Sequence, residues 1–352
     1  MPFTRIAPVR HDTIDGVPEP AEHTVLVGHA EAAAQLAGAF RAGRLHHALL
    51  LAGPAGIGKA TLAFRLAHHL LGFPDPTKAP EALLPPDAAS PLFRSIAQNA
   101  HPSLLHLTRP ANDRTKGFKT VITVEEIRRL GRFLGMTAHD GGFRVVIVDP
   151  VDDLNTSAAN ALLKGLEEPP PRTVFMLIAH SPGRLLPTIR SRCQTVRLQP
   201  LGGEEVIEVL GALGLAVPPA AEARAALTER AGGSVRSAIL LTEYGGLEIV
   251  SAVDAVLDGP TFDPTAAARI ADAIAGKEQA IQFEMFNDHL LASLAEKAAA
   301  AAGAGAAGIA DRLAASWSQI RGAIAETDTF NLDKRQHVLG QLMYAHRALH
   351  PA

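Results

Sequence analysis

Residues 46–70 read HHALLLAGPAGIGKATLAFRLAHHL, and the order of residue types in this stretch sets the fold. Ala48 to Ala52 is continuously apolar, as a strand buried on both faces of a parallel sheet must be. Glycines at 53, 56 and 58 follow, and then Leu62, Ala63, Leu66, Ala67 and Leu70 recur at helical spacing. Strand, glycine-rich turn and helix are the context in which a G-x-x-x-x-G-K loop binds phosphate. Backbone N–H groups approach the anion because glycine has no Cβ, and the lysine reaches the outer phosphates. Gly53, Gly56, Gly58 and Lys59 fit that pattern, but Ala60 stands where a Ser or Thr hydroxyl would hold magnesium. Thr61 lies one step along the helix, turned by about 100°, and is a poor substitute. The stretch leaves two readings open: a degenerate site that binds ATP or ADP without hydrolysis, or a strand-to-helix turn that keeps its glycines for packing.

Downstream, the β-branched run FRVVIVDP, residues 143–150, reads as a second buried strand. It ends at Asp149, where a nucleotidase carries the aspartate that helps hold its metal. The next residue is Pro150, which cannot orient a water. Asp152, Asp153 and Asn155 read as turn and N-cap residues before a helix that Pro169 to Pro171 stop. A further buried strand, TVFMLIAH, follows at 173–180. Strands alternating with helices over 25–198 predict an α/β domain with a parallel sheet and flanking helices. Residues 72–119, with six prolines before Ser95, are expected as an insertion carrying short helices at most. Its basic loop is formed by Arg109, Arg114, Lys116 and Lys119. Residues 1–24 lack any period and read as a mobile arm. Beyond residue 198 the pattern is wholly helical: a small lid over 199–247, then an Ala- and Leu-rich bundle over 248–352 that includes Trp317.

Composition narrows the function. The 352 residues suffice for two or three domains, and 33 basic against 36 acidic residues leave a net charge of −3. A free-standing DNA binder is usually basic, so nucleic acid would be met locally or through a complex. Cys193 is the single cysteine, which excludes a disulfide framework and a multi-cysteine zinc site. His101 and His106 are too few and lack partner ligands, and HPSL, residues 101–104, reads as a turn into a strand, so no metal and no zinc is expected. No apolar run approaches the ~20 residues of a membrane span, and the N-terminal residues lack the apolar core of a signal peptide; the expected location is the cytoplasm, with no membrane partner.

The most specific stretch is NTSAANALLKGLEEPPPRTVFMLIAHSPGRLLPTIRSRC, Asn155 to Cys193. Its ANALLKGLEEPP and LLPTIRSRC segments resemble the clamp-loader branch of the AAA+ ATPases, and within that branch the degenerate loop resembles a subunit that does not hydrolyse ATP. The likeness is good over residues 25–245 and rests beyond them on position and helical character. It implies that Ser191, Arg192 and Cys193 form the motif whose arginine, Arg192, is offered in trans to the ATP of a neighbouring subunit. It also implies a second-sensor arginine at Arg236, in the stretch Gly233 to Arg236, and a helical collar at the C terminus. His180 departs from the polar Thr or Asn of the family's first sensor, which further weakens hydrolysis in cis.

The partners so implied are catalytic clamp-loader subunits of the gamma/tau type and a delta subunit. The sliding clamp is met indirectly, and primed DNA through the complex. No cofactor is required, and nothing in the chain offers a polymerase site. Two rivals stand beside this reading: an autonomous AAA+ ATPase, for which Ala60 and Pro150 must be excused, and a pure assembly scaffold in which Arg192 is silent.

Overall fold

The computed structural model describes residues 4–112, 117–135 and 141–351. They divide into two compact units, Met1–Ala238 and Ile239–Ala352.

The first unit is built on five parallel strands: β1 Ala48–Ala52, β2 Leu104–Leu107, β3 Arg144–Val148, β4 Thr173–Ala179 and β5 Gln194–Arg197. Their order across the sheet is β2-β3-β4-β1-β5. Because side chains alternate along a strand, the sheet fills two cores at once. Leu49, Leu51, Val145, Ile147, Met176 and Ile178 pack against α1 (Ala30–Arg41) and α2 (Lys59–Gly72). Leu50, Val146, Val148, Phe175 and Leu177 pack against α4 (Val124–Gly135) and α5 (Thr156–Glu167). The three-layer α/β sandwich read from the alternation is thus the observed fold.

Two expectations are corrected. Stretch 72–119 does more than carry short helices: besides α3 (Pro91–Ala97) it contains β2, the edge strand of the sheet. Four residues, one of them His106, are too few to announce a strand by periodicity. Within the same stretch, Arg114 and Lys116 lie outside the described residues. The N-terminal arm, expected to be mobile, is a packed segment from residue 4 onward. Ala7, Ile14, Val17 and Ala21 are buried. Arg5 Nη2 donates to the carbonyls of Ile14 (2.6 Å) and Val17 (2.9 Å), and the Glu22 carboxylate accepts from the N–H groups of Ile6 (2.6 Å) and Ala7 (3.1 Å). Long-range polar pairs of this kind leave no periodic trace.

After β5 the unit continues through α7 (Gly203–Ala212) and α8 (Ala221–Ala231), and the division between units falls inside α9 (Val235–Glu243). The second unit comprises the remainder of α9, then α10 (Gly246–Asp258), α11 (Pro264–Ile274), α12 (Ala280–Gly303), α13 (Ala307–Phe330) and α14 (Lys334–Leu349). Val253, Leu257, Phe286, Leu290, Ile320, Val338 and Leu342 form its core, with Trp317 at the margin. The alanine tract is the C-terminal part of α12. A buried His337 joins three helices, bonded to Thr327 Oγ1 (2.9 Å) and Asn287 Oδ1 (3.0 Å). No helix among the described residues is long and apolar enough to cross a membrane.

Candidate functional site

Parallel strands end at one edge, so the residues that follow β1 to β4 converge there: the glycine loop, Thr108, Asp149 and His180. Gly56 and Gly58 have φ of +74° and +96°, conformations that carry the chain from strand to helix and that side chains resist. The first N–H groups of α2 face this edge with no helical partner, the usual phosphate-binding arrangement. Lys59 is only 3% exposed and turns back on its own loop, donating from Nζ to the carbonyls of Gly53 (2.7 Å) and Pro54. Burial pushes its pKa down to about 8, against the pull of Asp149 and Asp152. The methyl group of Ala60 packs against the core below, and Thr61 is half-buried in the first turn of α2.

Asp149, Asp152 and Asp153 follow β3, and their oxygens are committed to different degrees. Asp152 accepts from the N–H groups of His180 (2.6 Å) and Ser181 (2.9 Å) and so fixes the end of β4. Asp153 is bonded to Arg109 Nε at 2.6 Å. Asp149 remains; burial, then Asp12, push its pKa up to about 7, while Arg10 and Lys59 oppose the shift. His106 Nε2 stands 3.9 Å from its Oδ2, too long for a hydrogen bond. This donor set does not fit the magnesium of an ATPase: a hydroxyl is replaced by a methyl, Asp152 is committed through both oxygens and Asp153 through one, and Asp149 resists ionisation. Among the described residues no group of three His, Cys, Asp or Glu side chains is placed to hold a metal.

The first turn of α9 closes the loop from the other side. Val235 N donates to the Gly56 carbonyl at 3.0 Å, and Ser234, which caps the helix through Ser237 N (3.2 Å), packs on Gly56. Arg236 therefore stands beside the loop, and its Nη1 donates to the carbonyl of Asp12 in the N-terminal segment. His29 Nε2 donates to the Ile57 carbonyl at 2.7 Å and braces the loop from α1.

Arg192 lies at the opposite edge. It precedes β5, which pairs with β1 from Leu49↔Gln194 to Ala52↔Arg197, so Cys193 is level with the start of β1 and Gly53 follows its end. About five residues of strand at ~3.3 Å each, roughly 16 Å, separate the two levels. The Arg192 side chain is 36% exposed and tethered at its root: Nη2 meets Glu167 Oε1 at 2.7 Å at the end of α5, and Nη1 donates to the Thr188 carbonyl at 2.9 Å in α6 (Pro187–Arg190). Ser191 is exposed and bonds to the same carbonyl at 3.2 Å. The Cys193 sulfur faces the core, and burial pushes its thiol up to about 11.

The structure thus brings together Gly53, Gly56, Gly58, Lys59, Thr61, Asp149 and Arg236 at one edge, and Ser191, Arg192 and Cys193 at the other. Sequence reasoning missed Arg10, Asp12, His29 and Glu167. Only Glu167, at the end of a readable helix, left a signal that could have been used.

A parallel P-loop sheet of this order, with a helical segment whose first turn sits on the loop, defines the class: an AAA+-type P-loop domain. The family described as DNA polymerase III, delta subunit, matches residues 28–202 of this chain. A DNA polymerase III subunit delta' from Pseudomonas aeruginosa is 42% identical over 147 residues, 42% of this chain and 41% of the relative. A DNA polymerase III subunit tau from Escherichia coli is 32% identical over 256 residues, 71% of this chain and 37% of the relative. The chain thus spans less than half the length of each of these relatives. Among solved structures, a gamma subunit-related protein from Thermotoga maritima aligns over 92% of this chain and all of its own, at 17% identity and a TM-score of 0.45.

Proposed function

We propose that this chain is the delta-prime-type subunit of a bacterial DNA polymerase III clamp loader. In this reading it does not hydrolyse ATP and presents Arg192 in trans to the nucleotide of an adjoining gamma/tau-type ATPase subunit. A delta subunit completes the complex, which places the sliding clamp on primed DNA. The observation that carries this reading is the position of Arg192: at the far edge of the sheet from Lys59, it can serve only another molecule's phosphates. A guanidinium there stabilises the charge that spreads over a transferring γ-phosphoryl group, an effect worth ~10³ to 10⁵ in rate where arginine fingers act. The Glu167 contact holds the side chain ready and leaves part of it exposed. The spoiled magnesium site supports the other half of the reading, that turnover belongs to the neighbour.

The test is a reconstituted complex carrying Arg192→Ala, with assembly followed by size-exclusion chromatography and ATP turnover resolved at the adjoining site. Turnover there should fall by ~10³ or more with assembly intact. Unchanged turnover in an assembled complex would leave only the scaffold reading. Robust turnover by the isolated chain, abolished by Lys59→Ala, would make it an ATPase in its own right.

A further inference from the structure

The N-terminal segment folds back on itself, and its turn, Arg10 to Thr13, is internally braced. Arg10 N donates to Thr13 Oγ1 at 2.8 Å, Thr13 N to the Arg10 carbonyl at 3.3 Å, and Thr13 Oγ1 to the buried Glu19 carboxylate. This turn is pinned on both sides of the nucleotide edge. On the β2 side, His11 Nδ1 meets Thr108 Oγ1 at 3.4 Å, and its ring packs edge-on to Phe118. On the other side, the Asp12 carbonyl accepts from Arg236, whose helix rests on Gly56. Between these two anchors lie the ends of β3, β4 and β1, with Asp149 and Lys59. Arg10 is half-buried, and its guanidinium is within electrostatic range of Asp149, Asp12 and Glu19.

Arg236 and Lys59 are the cationic groups that the phosphates of a nucleotide would engage at this edge. We infer that Arg10 to Asp12 form an internal stand-in for that ligand: the Asp12 carbonyl oxygen takes the place of a phosphate oxygen at Arg236, the His11 contact with Thr108 holds the turn across the edge, and Arg10 adds a positive charge in range of Asp149. The loop is then held in its folded form by the chain itself, and a nucleoside di- or triphosphate binds only by displacing the turn. The inference deepens the reading of this chain as a non-hydrolysing subunit. It involves neither Arg192 nor a partner, so it stands or falls separately.

The experiment uses the full chain in an Ala60→Thr background, which returns a hydroxyl to the loop, with and without Arg10→Gly, His11→Gly and Asp12→Gly together. Binding of fluorescent ADP is followed by anisotropy with magnesium present. An apparent affinity is reduced by the fraction of molecules competent to bind, so a turn closed in nine chains of ten gives ~tenfold tighter binding once it is loosened. At least that gain is expected. Equal affinities in the paired chains, including no binding in either, would overturn the inference. Should the triple variant fail to fold, as judged by circular dichroism, Arg10→Ala alone is compared in the same way. As an independent readout, saturating ADP should increase amide hydrogen exchange at residues 10–13 of the Ala60→Thr chain with its native turn. Bound ADP that leaves exchange there unchanged would also refute it.

Discussion

Asp149→Asn should stabilise the isolated chain increasingly as pH rises above about 4, with the full effect at neutral pH and above. Burial and the nearby Asp12 push the Asp149 carboxyl from its ordinary 3.8 up to about 7. The folded chain therefore holds this proton more tightly than the unfolded chain does, so stability falls as pH rises through this window. The penalty is absent below about 3.8, grows between 3.8 and 7, and is complete above 7. A tenfold change in proton affinity is worth ~1.4 kcal/mol, which makes the full penalty on the order of 4 kcal/mol. Asparagine has nearly the shape of the protonated acid and never ionises. Urea unfolding followed by circular dichroism should show the variant about 2 to 4 kcal/mol more stable at pH 8 and equal to the native chain, within ~0.5 kcal/mol, at pH 4. A stability difference that is the same at both pH values, or absent at pH 8, would refute the placement of this carboxylate in a desolvated, partly like-charged setting.

Two further outcomes follow from the same coordinates. Gly56→Ala should cost ~2 to 3 kcal/mol in urea unfolding, because φ is +74° and the new Cβ would overlap Ser234 Oγ and stand 2.7 Å from Arg236 Cβ. Gly43→Ala, at φ +65° with nothing within 4 Å, isolates the backbone share and should cost only ~1 kcal/mol. Alkylation of Cys193 by iodoacetamide at pH 8 should run at least tenfold slower than that of an exposed thiol, since burial lifts its pKa to about 11 against ~8.5 for a free cysteine.

The sandwich was legible because its signals are local. Ala48–Ala52, Arg144–Val148 and Thr173–Ala179 are apolar on both faces, and the glycines at 56 and 58 sit where positive φ is needed. Lys59 and Asp149 were found as motif positions attached to strand ends that the sequence already marked, and Arg192 through the resemblance of the LLPTIRSRC segment. The wholly helical pattern read beyond residue 198 is the run of helices from α7 to α14. What stayed hidden was built by distant pairs. Glu22 with the N–H groups of residues 6 and 7, Asp12 with Arg236, and Glu167 with Arg192 join segments from 15 to 224 residues apart and obey no period. The N-terminal segment looked aperiodic because its order comes from a few buried polar groups rather than an apolar stripe. β2 was signalled only by the HPSL turn before it, because it is four residues long and includes His106, an imidazole that packs edge-on against Phe64 as a hydrophobe would.

Helix α5 runs from Asn155, which caps it through Ala158 N beside the Asp152 and Asp153 turn, to Glu167, which grips Arg192 at the other edge. Twelve residues at 1.5 Å make a rod of about 18 Å, the depth of the sheet itself. The helix therefore works as a gauge block. Its residue count sets where the arginine is held relative to Asp149, and one residue inserted within it would carry Glu167 forward by ~1.5 Å and swing it by ~100° around the axis, out of reach of the guanidinium it positions.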